Sequence, residues 1–188
     1  MFKQIKGNFF SVDAIKANVK ANSQKYKLIA WIILPLVVID QLSKLWAWTA
    51  LKGHGADIYL WDFFRFEYAE NPGAFLSLGA QFSDTARLLI FNVAVAIFLV
   101  YVAFLLVRKK LPFWHFIAFT LLLGGGLGNL IDRVFRRAVI DFMNMGFGSL
   151  RTGIFNVADI AIMAGLILMI IPEKWLSERT PAAFKEPN

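Results

Sequence analysis

Apolar residues in this chain gather into four blocks, at about 28–48, 88–107, 111–131 and 154–171. Each approaches the roughly 20 residues that a helix rising about 1.5 Å per residue needs to cross a bilayer core. The pattern predicts four membrane-spanning helices. The first block is interrupted by Asp40 and Lys44, and the second holds one amide, Asn92. The third carries His115 and a glycine cluster, and the fourth carries Asn156 and Asp159. The connection 49–84 has a different rhythm. Phe64, Phe66 and Tyr68 alternate with Arg65 and Glu67, a period of two that predicts a strand. Asn71-Pro72-Gly73 reads as a turn, and 74–78 as a short apolar return. Residues 138–143 (AVIDFM) are a second strand candidate. A small strand platform is therefore expected on one side of the helices, with Trp46, Trp48 and Trp61 suited to a membrane interface.

Composition strengthens the membrane reading. Of the 188 residues, 58% are hydrophobic, and the mean hydropathy is +0.58. Soluble domains are typically about 45–50% apolar. The length suits one domain. Cysteine is absent, which removes disulfides, thiolate metal sites and a cysteine nucleophile.

The net charge of +7 could suggest nucleic acid, but the basic residues flank apolar blocks, so no nucleic-acid partner is expected. Segments 1–27, 108–110 and 173–188 hold six, three and three basic residues. Residues 49–84 hold Lys52 and Arg65 against five acids. Positive-inside then puts both termini in the cytoplasm. Residues 132–153 depart from that rule, with Arg133, Arg136, Arg137 and Arg151 on the outer side. Residues 1–27 form a basic extension expected along anionic headgroups. No small-x-small cleavage site marks them as a removed signal peptide. Residues 173–188 form a cytoplasmic tail.

This topology brings the unusual polar residues to one depth. Asn129, Asp132 and Arg133 fall at the outer end of the third helix, Asn156 and Asp159 near the outer start of the fourth, and Asp40 and Lys44 in the outer part of the first. Asp141 lies in the outer connection. Pairs three or four apart, such as Asp40 with Lys44 and Asn129 with Arg133, share a helix face. Asp40 and Lys44 could simply neutralise each other, and Asp132 and Arg133 could be an ordinary interfacial pair. Intramembrane ionisable groups are costly and usually functional. His54 and His115 are the only histidines and fall on opposite sides, so neither a zinc site nor a serine–histidine pair is expected. Gly124 and Gly128 form a G-x-x-x-G read as helix packing.

Carboxylate chemistry remains. Two aspartates sharing a site hold one proton near neutral pH; the ionised member can activate water while the other protonates the attacked carbonyl. Asp132, Asp141 and Asp159 are the candidates, and the residues alone do not select the pair. A proton-coupled transporter would instead distribute carboxylates toward the midplane with paired broken helices. A non-enzymatic assembly factor would use the same acids only for packing.

At five stretches the chain resembles lipoprotein signal peptidase (signal peptidase II). They are Asp40-Gln-Leu-Ser-Lys44, Asn71-Pro-Gly73, GGGLGNLIDR at 124–133, Val139-Ile-Asp141-Phe, and Phe155-Asn-Val-Ala-Asp159. The resemblance implies a membrane all-α fold, a four-transmembrane-helix bundle over 28–172 with both termini cytoplasmic and a small extracytoplasmic β-platform. It implies an aspartic endopeptidase of the bacterial inner membrane, with its site near the periplasmic face and no metal or cofactor. The substrate would be a diacylglyceryl-modified prolipoprotein, cut just before the lipidated cysteine, and the protein a monomer among membrane lipids. It further implies that Asp141 and Asp159 are catalytic, that Asn129, Arg133, Asn156, Asn71, Gly73, Asp40 and Lys44 support them, and that Asp132 is structural. The Asn-x-Gly turn continues Ala74-Phe75-Leu76 rather than Ala-Ala-Phe. Trp61, Phe64, Phe66 and Phe75 are candidates to cover the site.

Overall fold

The computed structural model describes residues 12–72, 82–87 and 92–181. Gly73, Phe75, the apolar return at 74–78, residues 88–91 of the second block and the ends of the basic extension and tail lie outside the described residues. Within them the helices are α1 (Val12–Ala50), α2 (Asp84–Arg87), α3 (Val95–Arg108), α4 (Phe113–Arg136), α5 (Val157–Ile170) and α6 (Glu173–Ser177). The strands are β1 (Asp57–Tyr59), β2 (Phe64–Asn71), β3 (Val139–Phe147) and β4 (Leu150–Arg151).

The first helix runs far beyond the expected block. It has 39 residues, which corresponds to about 58 Å. Residues 12–27 contain neither glycine nor proline and are rich in Ala and Lys, so nothing stops the helix before the apolar block begins. It ends where Gly53, at φ +85°, turns the chain. Among the described residues, two segments are long and apolar enough to cross a membrane, Ser23–Ala50 and Phe113–Arg136; Asn92–Arg108 and Val157–Ile170 are shorter apolar helices. The third block's helix continues past residue 131 to Arg136, where Arg137 adopts a left-handed conformation at φ 62°. The fourth begins at Val157 rather than 154, because Phe155 pairs with Met143 of β3 before the helix starts.

α4 is the central helix, and its glycine cluster faces three neighbours at once. A Cβ on Gly124 would lie 2.7 Å from a Leu36 methyl of α1. One on Gly125 would meet the Ala158 carbonyl of α5 at 2.4 Å, and one on Gly126 a Leu99 methyl of α3 at 2.4 Å. Gly128 leaves room for the Asp40 carboxylate, 2.6 Å from where its Cβ would be. Small residues let helices approach closely, and here the G-x-x-x-G pair, Gly124 and Gly128, both face α1.

One apolar cluster joins Leu99, Val102 and Leu106 of α3 to Phe116 and Leu123 of α4. A second joins Ala47 and Leu51, at the end of α1, to Ile140 and Phe142 of β3. The outward surface carries many large apolar side chains, and charged and amide groups are buried inside. Trp31 is 77% exposed and Ile170 80%, while Asp40, Lys44, Asp132 and Asn156 are fully buried. That arrangement inverts the rule for soluble proteins.

The strands form one antiparallel sheet in the order β1-β2-β3-β4. Both expected strands are present, whereas β1 and β4, at three and two residues, carry too short a pattern to read from sequence. Asn71 is not a free turn residue but the last residue of β2, opposite Val139. Ala69 lies opposite Asp141, and the register shifts between Phe66 and Ala69. Phe66 packs on Trp46, edge-on at 5.2 Å, and stacks on Phe142. It thus fills the seam between sheet and α1. Trp61 is 96% exposed.

At the far end of the helices, Lys25 donates to the Lys109 carbonyl at 2.9 Å. Trp114 Nε1 donates to the Leu176 carbonyl at 2.8 Å. The basic N-terminal side, the 108–110 connection and the C-terminal segment therefore share one end of the molecule, opposite the sheet.

Candidate active site

Three helices, α1, α4 and α5, meet strands β2 and β3 at the site. α5 supplies the organising turn. Asn156 is its N-cap, in extended conformation, and its Oδ1 accepts from the Asp159 N–H at 2.9 Å. Asp159 Oδ2 in return accepts from the Asn156 N–H at 3.1 Å. This reciprocal capping box satisfies amide donors that a helix start leaves open. A third such donor, the Ala158 N–H, goes to Asp40 Oδ1 of α1 at 2.9 Å.

The Asn156 side chain also reaches the sheet. Its Nδ2 donates to Asp141 Oδ1 at 2.7 Å and to Asn129 Oδ1 at 3.1 Å, with the Ile140 carbonyl at 3.3 Å. Asn71 Nδ2 donates to the other oxygen of Asp141 at 3.0 Å. Asn129 Nδ2 donates to Asp159 Oδ1 at 2.8 Å. One asparagine thus touches both aspartates, and a second amide steadies each. β2 positions Asn71, β3 Asp141, α4 Asn129, and the first turn of α5 Asn156 and Asp159.

Lys44 lies behind this layer. Its ammonium contacts Asp40 Oδ2 at 2.8 Å, Asp132 Oδ2 at 3.0 Å and Asn129 Oδ1 at 2.9 Å. The sequence allowed Asp40 and Lys44 to neutralise only each other; instead Lys44 is shared between two carboxylates and an amide. Nor do Asp132 and Arg133 form the ordinary interfacial pair that adjacency allowed. Asp132 is buried against Lys44 and Arg136 and accepts the Ile140 N–H at 3.3 Å. Of the three candidate acids, Asp132 is therefore the one bonded to two cations. Arg133 is half-buried and lies within charge-interaction range of Asp159 and Asp141. Gln41 was not anticipated. It donates to the Gly128 carbonyl at 3.1 Å, to Asp40 at 3.1 Å and to Asp132 at 3.3 Å. Its place beside Asp40 was the only cue in the sequence.

Asp141 is pushed up to about 7. Burial is the main cause, the charge of Asp159 the second, and the amides of Asn71 and Asn156 oppose both. A carboxyl in that range can exchange a proton at neutral pH. Beside Asp159 runs an apolar groove of about 560 Å³, lined by Ile160, Met163 and Ile167 of α5 and closed by Met145, Arg151 and Phe155. Among the described residues, no three of His, Cys, Asp and Glu gather as metal ligands.

Comparison with known proteins gives this arrangement a family. The family described as Signal peptidase (SPase) II matches residues 32–173. The chain is similar to the lipoprotein signal peptidase of Psychromonas ingrahamii, 31% identical over 162 residues that cover 84% of this chain and 90% of the relative. It is 36% identical to that of Clostridium tetani over 141 residues, covering 74% and 88%. A solved bacterial membrane enzyme superposes with a TM-score of 0.70 at 25% identity, over 86% of this chain and 95% of the other. A second superposes with a TM-score of 0.66 at 26% identity, covering 77% and 91%. Every residue of the buried polar cluster lies inside the matched segment, and the chain belongs to the signal peptidase II family.

Proposed function

We propose that this protein is an intramembrane aspartic endopeptidase. It removes the signal peptide from diacylglyceryl-modified bacterial prolipoproteins, cutting just before the lipidated cysteine. Membership of the signal peptidase II family makes it a protease of lipoprotein processing. The aspartic mechanism rests on one observation above all. Asn156 is hydrogen bonded to Asp141 and Asp159 together, at the mouth of an apolar groove.

The chemistry follows from the pairing. Two carboxyls bonded to one asparagine and acting on one site share one proton near neutral pH. The ionised member takes a proton from water as it attacks the scissile carbonyl. The protonated member donates to the carbonyl oxygen and then to the leaving amine. Asn129 and Asn156 fix the carboxyl planes, and Arg133 adds positive charge where the oxyanion develops. Lys44 acts through Asn129, which it orients toward Asp159. Asn71 holds Asp141 from the sheet. The groove along α5 suits an apolar signal-peptide segment, and the exposed Trp61 is the aromatic assigned to cover it.

The same reading makes 28–172 a peptidase domain of four membrane helices with loop 49–84 outside. Residues 1–27 and 173–188 are then cytoplasmic, and the protein is a monomer of the inner membrane with its site near the periplasmic face. The shared end of Lys25, Lys109 and Leu176 supports this sidedness. The purified protein should release the signal peptide from a diacylglyceryl-modified prolipoprotein and leave the unlipidated form intact. No release from the lipidated substrate would end this assignment.

A further inference from the structure

A second groove, of about 390 Å³, lies on the other side of the sheet–helix junction and shares no residue with the one beside Asp159. Its walls are Leu45 and Trp48 of α1, Tyr68 and Glu70 of β2, and Arg136 at the end of α4. Gln41, Leu45 and Trp48 follow one face of α1, and Lys52 stands in the turn just past it. Leu45 and Trp48 are each about half exposed.

Two charged groups in this groove have unused capacity. Arg136 gives Nη1 to Asp132 and to Gln41 Oε1 at 3.3 Å. Its other guanidinium nitrogens have no partner among the described residues, and the side chain is 39% exposed. Glu70 accepts both the Lys52 ammonium and the Tyr68 hydroxyl at 2.7 Å, and both go to Oε1. Its Oε2 has no partner among the described residues. The groove therefore presents open donors at one wall and an open carboxylate oxygen at another, above an apolar floor ending in a tryptophan. Each cation is matched by an acid: Lys44 and Arg136 by Asp40 and Asp132, and Lys52 by Glu70. The pattern suits a ligand that is itself neutral overall yet carries both signs.

We propose that this groove holds a zwitterionic aminophospholipid of the outer leaflet, with its phosphate on Arg136, its ammonium on Glu70 and an acyl chain along Leu45 and Trp48. The proposal rests on the sidedness given above, which sets these residues at headgroup depth. Guanidinium groups bind phosphate through paired donors, basic pockets between membrane helices take lipid headgroups, and tryptophan favours that level. It also gives one of the outer arginines, the exception to the charge rule, a ligand of its own.

The test is native mass spectrometry of delipidated protein in detergent, titrated with phosphatidylethanolamine, phosphatidylglycerol or diacylglycerol. The expected result is one retained phosphatidylethanolamine, preferred about tenfold over the other two. Arg136→Gln should lose retention, and Glu70→Gln should lose the preference over phosphatidylglycerol. Trp48→Ala, which leaves the buried charges intact, should weaken all three lipids if Arg136→Gln fails to fold. Equal retention of the three lipids, a preference for phosphatidylglycerol, or retention unchanged in both Glu70→Gln and Trp48→Ala would overturn the proposal. So would displacement by chain-free phosphoethanolamine at equal concentration. Prolipoprotein cleavage measured on the same sample separates the two readings. Cleavage without lipid preference sinks only the groove, and lipid preference without cleavage sinks only the peptidase.

Discussion

Asn156 caps α5 and, with the same side chain, holds Asp141 of the sheet. Helix start and strand are thereby locked in one geometry. Burying the Asp141 carboxyl beside Asp159 costs the folded state something. The Asp141 carboxyl sits at about 7 in the fold and near its ordinary value of roughly 3.9 in the unfolded chain. Between those values the folded form holds a proton that the unfolded form has lost. Stability should therefore fall as pH rises from about 4 to 7 and level off above, by up to roughly 4 kcal/mol for an independent group. Melting in detergent across pH 4–8 checks this. Asp141→Asn should flatten the dependence, and an unchanged slope in that variant would assign it to other groups.

Helix spacing made much of the site legible. Asp40 with Lys44, and Asn129 with Arg133, fall on shared faces, and β2 announces itself by alternation. What the sequence did not carry was which neighbour each face meets. Asp132 and Arg133 are adjacent, yet α4 turns one toward Lys44 and the other toward Asp141 and Asp159. Only the packing of α4 on three helices decides that. The start of α5 was displaced for a similar reason: Ile154 and Phe155 are apolar, but Phe155 uses its backbone to pair with β3. The glycine cluster is where this element-scale account is most exposed. Gly125→Ala would force a Cβ onto the Ala158 carbonyl, one residue from Asp159. It should cost about 1–3 kcal/mol by overpacking and slow cleavage as well. Gly55→Ala, where no atom lies within 4 Å, should stay within about 0.5 kcal/mol of the parent. Thermal melting and turnover of the two variants make the comparison, and equal effects would contradict it.

The whole molecule turns its polar groups inward and leaves its apolar surface for lipid, with the sheet at one end and the basic segments at the other. The proposed topology has that sheet outside. The chain has no cysteine, so single thiols report sidedness cleanly. Phe147→Cys, at an exposed sheet position, should react with an impermeant thiol reagent applied to spheroplasts, and Lys110→Cys should not. The opposite labelling would invert the topology.

The central claim is that Asp141 and Asp159 act together on one peptide bond. The most direct measurement is single-turnover cleavage of a diacylglyceryl-modified prolipoprotein by the parent protein and by folded Asp141→Asn and Asp159→Asn variants. Each substitution should slow the chemical step by on the order of 10³-fold or more, with substrate still bound. Near-parental cleavage by either variant would contradict the pair.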